Sequence, residues 1–414
     1  MEQKPLRVLC ISFWTPPAVR PQAILLGKML PEWERQGISP VLLSISQKDK
    51  WEGVPFPQYY IPAVPGLVSR VVGRVPLLRE WSDTLYQWYW ARVAAKIIKD
   101  EKIDLAFSFA NPQESNILGA MLHKKHKVPF ISHFSDPWYD NHYKDFTPER
   151  GALVLRLEKF IMEESDVILF TNQPALELVM KKYPKEWLTR TAVIPHNYEA
   201  IDYPERSKPR SKRPPYKISY IGAFYQKRTP EPFFKALVEL LKKHPELKDA
   251  FTIELIGAAN PYAGYSTLQL EKMLSDYGLR DRATLIPPIT YKESLNAMVE
   301  SDLLIAIDAD IPGSPYLPSK VIDYIGSGTP IVAITPTGSP AGTIVEKSGY
   351  WSFSYEETDK LASFLERWLK GEEQPKRDQK YIDQFCIAST SAMLISHFNA
   401  VHYHDTHDSH ESHG

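Results

Sequence analysis

Apolar and polar positions alternate along this chain in two rhythms. Short β-branched runs are each followed by a longer stretch whose apolar side chains recur at helical spacing, the pattern of parallel strands covered by helices. In the first half this predicts strands at Arg7–Ser12, Pro40–Ser44, Asp104–Ser108, Phe130–His133, Val167–Thr171 and Ala192–Ile194, with helices at Gln22–Gln36, Ser115–Lys125, Ala152–Ser165 and Pro174–Tyr183. From Glu199 to Tyr216 the rhythm stops. There "PERSKPRSKRPPY" carries four prolines and a dense basic run, the composition of an interdomain linker. The alternation restarts with strands at Lys217–Ile221, Phe251–Ile256, Ala283–Ile286, Leu303–Ile307 and Ile331–Ile334. Helices are expected near Pro232–His244, Leu268–Tyr277, Tyr291–Glu300, Ser319–Ile325, Pro340–Ser348 and Glu357–Leu369, and a last one over 382–400. The fold class implied is α/β, with two Rossmann-like units in tandem. The expected division is an N-terminal domain over 1–200, a linker over 201–216, a C-terminal domain over 217–375 and a disordered tail over 401–414.

A length of 414 residues exceeds what one hydrophobic core holds, which agrees with two domains. Lys and Arg total 49 and Asp and Glu 50, a net charge of -1, so no global attraction for nucleic acid is expected. The two cysteines, Cys10 and Cys386, are too few for a disulfide framework and read as small core residues in a reducing compartment. The N-terminus enters its first strand without a signal-peptide stretch, and nowhere do about 20 apolar residues run together as a membrane span requires. A cytoplasmic location is therefore expected. The tail holds five of the 12 histidines and reads as disordered, with adventitious metal binding as the other reading of its composition.

In doubly wound sheets, ligands bind outside the carboxyl ends of the strands, and four such places carry suitable chemistry. After the first strand, Phe13 to Pro21 lacks the G-x-G-x-x-G fingerprint, which argues against a nicotinamide dinucleotide. Arg20 opens the next helix, placed either to reach a ligand or to pair with a surface carboxylate. In "FISHFSDPWYDN", His133 and Asp136 offer a proton acceptor and a hydrogen-bond acceptor to a sugar hydroxyl, with Trp138 as a flat apolar wall; an Asp before Pro is equally a turn former. Gly222 permits close backbone approach, and Lys227 and Arg228 bring two positive charges suited to a pyrophosphate, or simply solvated. In "SPYLPSKVIDYIGSGTPIVAI", Lys320 and Asp323 share a helix face, so the cation can meet phosphate and the carboxylate ribose hydroxyls.

Together these residues resemble the glycosyltransferase family 4 type of GT-B enzyme, in particular bacterial cell-surface polysaccharide transferases, over most of residues 6–370. "PPAVRPQAILLGKML" is similar to the family's opening loop, arginine and helix, "SHFSDPWYDN" to its D-x-R-D-P-W segment, and "VIPHNYE" to its I-P-N-G turn. "YIGAFYQKRTPEPFFKAL" resembles its diphosphate loop and "LPSKVIDYIGSGTPIVAI" its P-x-K-x-x-E-Y-x-x-x-G-x-P-V donor motif. The resemblance implies two Rossmann-like domains facing across a cleft, with a C-terminal helix returning to the first. It implies transfer of a hexose-type sugar from a nucleotide diphosphate sugar to a glycan or lipid-linked acceptor, with retained anomeric configuration. It assigns Gly222, Lys227, Arg228, Lys320 and Asp323 to the donor, and Arg20, His133 and Asp136 to catalysis. No cofactor and no metal ion is expected, because side chains and helix N-termini supply the stabilising charge.

The family pattern is incomplete here. Of its two acidic donor-motif positions the second is Asp323 and the first is Pro315; the arginine of R-D-P-W is Ser135, its leading Asp is His133, and Pro195-His196-Asn197 replaces the Pro-Asn-Gly turn. A catalytically inactive nucleotide- or glycan-binding protein of the same fold and a sugar-nucleotide epimerase therefore stand as alternatives. Trp81, Leu85, Trp88 and Arg92 recur at helical spacing beside Tyr86, Tyr89 and Trp90, within residues 66–102, where seven side chains are basic and four acidic. This stripe is either a buried helix face or a contact with the inner face of the cell membrane.

Overall fold

The computed structural model describes the backbone of residues 4–45, 49–61, 76–207, 214–225 and 227–411, and their side chains except over 76–86 and 404–411. The chain divides into two compact units, 1–196 with 387–414, and 197–386. In the first unit the strands are β1 (Leu6–Ser12), β2 (Ile38–Ser44), β3 (Gln58–Tyr60), β4 (Leu105–Phe109), β5 (Phe130–Phe134), β6 (Val167–Phe170) and β7 (Thr191–Val193). They form one parallel sheet in the order 3-2-1-4-5-6-7. Its helices are α1 (Pro21–Arg35), α2 (Pro76–Glu101), α3 (Glu114–His126), α4 (Pro148–Glu164) and α5 (Gln173–Met180). Both faces of the sheet are covered, so the central strands are mostly apolar and almost wholly buried. Leu9, Ile11, Val41, Leu43 and Phe130 enter one core, while the alternate residues Val8, Cys10, Leu42, Phe107 and Ile131 enter the other.

The second unit repeats the design. Its strands are β8 (Tyr216–Ile221), β9 (Phe251–Ile256), β10 (Ala283–Ile286), β11 (Leu303–Ile307), β12 (Ile331–Ile334) and β13 (Trp351–Phe353), parallel in the order 10-9-8-11-12-13. Its helices are α6 (Glu231–Lys243), α7 (Thr267–Asp276), α8 (Tyr291–Glu300), α9 (Ser319–Ser327), α10 (Pro340–Lys347), α11 (Thr358–Leu369) and α12 (Gln379–Asp383). Caps fix where several begin: Thr290 and Glu293 form a reciprocal capping box on α8, and Ser266 and Gln269 one on α7. In each unit the strand order reverses beside the first strand, between β1 and β4 and between β8 and β11. Successive connections there lead to opposite faces of the sheet, and ligands of such folds bind at that point.

The last helix, α13 (Ile387–Glu411), belongs to the first unit. It starts at 387 rather than 382 because the preceding residues form the separate α12, and because Tyr198 N donates to Phe385 O at 3.0 Å where the chain leaves that helix. Its helical backbone continues to Glu411, through residues whose composition suggests disorder. Phe398 anchors it, edge-on to Trp33 at 5.1 Å and to Phe107 at 5.6 Å. Two edge strands, β3 and β13, escape the sequence pattern because each is three half-buried residues without a β-branched side chain, unlike the equally short β7. Part of the expected linker is docked: Arg206 donates to the carbonyls of Val299 and Ser301 and pairs with Asp302 at 2.8 Å. Residues 208–213 of that linker lie outside the described residues. Cys10 is buried and Cys386 half-buried, and neither is in a disulfide. Among the described residues no helix is long and apolar enough to cross a membrane.

If α13 is held by its aromatic anchor, Phe398→Ala destabilises the first unit by about 3–5 kcal/mol. Met393→Ala, at an exposed position of the same helix, should stay within about 0.5 kcal/mol. Denaturant unfolding followed by tryptophan fluorescence measures both.

Candidate functional site

In the second unit the switch point is built from the ends of β8 and β11. The buried β8 ends at Gly222, whose φ of +120° favours glycine and where a Cβ would come within 3.3 Å of Lys320 Nζ. The chain then makes a tight turn in which Tyr225 and Arg228 exchange backbone hydrogen bonds, of 3.1 and 2.8 Å. This turn aims Arg228 inward, with its guanidinium over the Tyr225 ring and 3.4 Å from Asp308 Oδ1. Lys227, on the same turn, is exposed. Its carbonyl accepts from Asp310 N at 2.7 Å, tying the loop after β8 to the loop after β11.

Lys320, in the first turn of α9, lies with Nζ 4.0 Å from the centre of the Tyr220 ring and 3.4 Å from Ile221 O. Tyr324, one turn on, clamps the end of β8 by accepting from Ile221 N and donating to Ile221 O. Desolvation holds the Lys320 ammonium well below the ordinary lysine range, and Arg228 adds repulsion that Asp308 partly offsets. Burial raises Asp308 above the usual carboxylate range, against the pull of Arg228, the Ala309 amide and Lys320. Gly222, Arg228 and Lys320 are therefore brought together. Asp323 is buried one helical turn from Lys320 with other partners: Tyr291 donates to its carboxylate at 2.9 Å and Tyr203 to its main-chain carbonyl at 2.8 Å. Pro315 is buried as well.

In the first unit, Arg20 is the exposed N-cap of α1, its guanidinium 5.2 Å from the Trp14 ring. His133 is 4 % exposed and stacks on Phe109 at 4.5 Å. Desolvation, then the neighbouring His196, lower its pKa to about 3, against a hydrogen bond with the Ala110 backbone. Asp136 accepts from Asn111 at 3.4 Å, and Ser135 donates to Ala110 O, so the end of β5 is tied to the loop after β4. Asn116 organises the same corner, donating to Gln113 Oε1 at 2.7 Å and His133 O at 3.1 Å. Trp138 is not a wall for a sugar ring: it is buried in the main core of this unit, because the backbone of Tyr139 is drawn inward to the buried Glu158.

Asp308, Tyr220, Asn111 and Asn116 are not among the residues expected from sequence. For Asp308 a signal exists. "IDAD" closes an apolar strand run, the same kind of place that holds Gly222 and His133. Asn111 and Asn116 stand out only once β4 is known to lie beside β5.

The buried neutral His133 makes the first unit sensitive to acid. Its folded pKa lies below the unfolded value, so its contribution is complete above about pH 6.5 and is lost as pH falls towards 3. Stability should fall by about 1.4 kcal/mol per pH unit in that window from this group. His133→Phe should flatten the decline, as read from denaturant unfolding at stepped pH.

Residues 203–385 match the family model described as glycosyl transferases group 1. No curated protein gives a significant match. Among solved structures, Anabaena Alr3699/HepE in complex with UDP superposes with a TM-score of 0.68 at 13% identity, covering 95% of this chain and 100% of that one. The same protein is also known in complex with UDP-glucose. Sucrose-phosphate synthase from Thermosynechococcus elongatus gives 0.69 at 13%, over 96% and 99% of the two chains. A glycosyltransferase from Rickettsia africae ESF-5 gives 0.67 at 10%, over 96% and 98%. At these identities the likeness is one of fold, and it extends over nearly the whole chain. Residues 203–385 thus resemble the glycosyl transferases group 1 family, within a chain that has the two-sheet α/β fold of GT-B proteins.

Proposed function

We propose that the chain is a glycosyltransferase of the family 4, cell-surface polysaccharide kind, moving a hexose-type sugar from a nucleoside diphosphate sugar to a glycan or lipid-linked acceptor. The observation that carries this reading is the convergence of Arg228 and Lys320 on the glycine-ended β8 at the switch point. In the reaction, the bond from the anomeric carbon to the diphosphate oxygen breaks and a bond from that carbon to the acceptor oxygen forms. The diphosphate leaves with the bonding electron pair, developing negative charge, and the acceptor hydroxyl's proton passes to the departing oxygen. Two cations in a partly desolvated site stabilise that charge best where water is excluded, so the proposal calls for no metal ion. Asp323 is assigned to the ribose hydroxyls, with Tyr291 holding its carboxylate. The second unit takes the donor and the first the acceptor, near Asp136, with Arg20 and His133 as further contributors. Retention of configuration is part of the proposal and rests on the resemblance.

A second reading, a nucleotide- or glycan-binding protein without turnover, is favoured by the buried Pro315 where the family has a carboxylate. Incubating sugar nucleotides with candidate acceptors separates the readings: a glycosylated acceptor supports transfer, an epimerised donor an epimerase, and binding without product the inactive form. Arg228→Ala should weaken nucleoside diphosphate binding by about 1.5–3 kcal/mol, as loss of a charged hydrogen bond does, and Lys227→Ala, at an exposed position, by less. Titration calorimetry reads both, and unchanged affinity in the double variant removes the donor assignment.

The membrane contact is proposed for the outer face of α2. Trp90 is buried in the core, while Trp88 and Tyr89 are 50% and 47% exposed. Arg92 lies 4.5 Å from the Trp88 ring, and Lys96 and Lys99 extend the exposed cationic face. The side chains of Trp81, Leu85 and Tyr86 lie outside the described residues. Exposed aromatics flanked by cations suit an anionic lipid surface near a lipid-linked acceptor. The chain should co-sediment with phosphatidylglycerol vesicles, less so at high salt and after Trp88→Ala; sedimentation indifferent to anionic lipid and to salt counts against it.

A further inference from the structure

Asp308 follows β11, whose five residues Leu303–Ile307 are all apolar and buried. Its carboxylate is itself 2% exposed. Oδ1 accepts from Ala309 N at 2.7 Å and faces Arg228 at 3.4 Å, and Oδ2 is buried with no hydrogen-bond partner among the described residues. Tyr355 donates to its main-chain carbonyl at 2.5 Å, fixing the residue in place. A carboxylate in such surroundings is destabilising unless its charge is matched. The matching charges are the two cations already placed at the phosphate site. Burial keeps the carboxylate from meeting a ligand directly, so any role runs through Arg228 and Lys320.

We propose that Asp308 is a positioning residue of the phosphate site, an internal counter-ion that fixes the direction of the Arg228 guanidinium and holds Arg228 and Lys320 as a pair able to act on one diphosphate. This rests on the donor reading of the second unit. The geometry supports it from three sides. Arg228 is confined between Asp308 and the Tyr225 ring. Lys320 is confined between the Tyr220 ring and the end of β8. The Asp310–Lys227 backbone bond keeps the two loops in register. Without the carboxylate, the repulsion between the two cations loses the charge that offsets it, and like charges so placed turn away from one another or lose a proton.

The consequence opposes simple electrostatics. Removing an anion beside an anion-binding site strengthens binding if charge alone matters; if Asp308 positions its cations, removing it weakens binding. The proton balance adds a second signature. The groups facing Lys320 are Tyr220 from β8, Arg228 from the following turn and Asp308 after β11, and Tyr324 of its own helix shares the Ile221 carbonyl with it. Tyr220 and Tyr324 are raised by burial and stay neutral. Lys320 is thus the group whose charge is lost first as pH rises, and Asp308 is its opposing support. Affinity for a diphosphate therefore falls with rising pH, and loss of Asp308 moves that fall to lower pH.

The test is titration calorimetry of the full chain with UDP and with inorganic pyrophosphate at stepped pH, from neutrality upward towards the ordinary lysine value of about 10.4. The variants are Asp308→Asn, Arg228→Lys and the double variant. Asp308→Asn should bind UDP about tenfold more weakly near neutrality, the size of one charge-assisted hydrogen bond, with its pH-dependent fall displaced downward. Arg228→Lys should lose a similar factor, and the double variant little more than either, because both act on one contact. Equal or tighter binding by Asp308→Asn overturns the inference, as does weaker binding with an unmoved pH profile, which marks general destabilisation. Should Asp308→Asn fail to fold, Arg228→Lys decides: wild-type affinity there also overturns it. A wild-type chain that binds pyrophosphate but neither UDP, GDP nor ADP refutes the donor reading instead, and the pyrophosphate titrations then judge Asp308 alone.

Discussion

The reversal of strand order beside β8 governs the chemistry of the second unit. Parallel strands are joined by crossover helices, and where the order turns, neighbouring connections leave towards opposite faces. The ends of β8 and β11 are left uncovered by helix, with main-chain groups that only loops and side chains can satisfy. Gly222, Arg228, Asp308 and Lys320 all occupy that gap. A glycine there admits the lysine, an aromatic ring from β8 supports it, and a carboxylate from β11 offsets the repulsion between the two cations.

The cost of this arrangement explains its form. Two cations and one carboxylate in a partly desolvated corner are unfavourable singly. The structure spreads them: Arg228 takes the carboxylate, while Lys320 takes the face of Tyr220 and a carbonyl. Such a corner favours an anion with two charge centres over one with a single centre, because each cation then gains its own partner without displacing the other. A diphosphate has that form.

The first unit repeats the sheet order with different chemistry at its switch point. Arg20 opens α1 after β1 as an exposed cation, and at the ends of β4 and β5 the polar groups are linked by Asn111, Asn116 and Ser135. A neutral His133 among aromatic rings adds rigidity and little charge. The two units thus differ in character, one switch point holding two cations beside a carboxylate and the other unit holding a hydrogen-bonded polar corner at β4 and β5.

The sequence by itself determined the repeated strand and helix pattern, because apolar periodicity follows directly from which backbone faces are buried, and long runs such as Arg7–Ser12 and Phe251–Ile256 leave one reading. It also pointed to Gly222, Arg228 and Lys320, since strand ends followed by glycine and cations can be read locally. It gave neither the edge strands β3 and β13, which lack β-branched residues, nor the fate of the loop residue Trp138, whose burial depends on Glu158 reaching across from α4. The pairing of Asp308 with Arg228 lies further still from local reading. Those residues are 80 positions apart and meet only because β11 inserts beside β8, and strand order is a property of the packed sheet rather than of any segment within it.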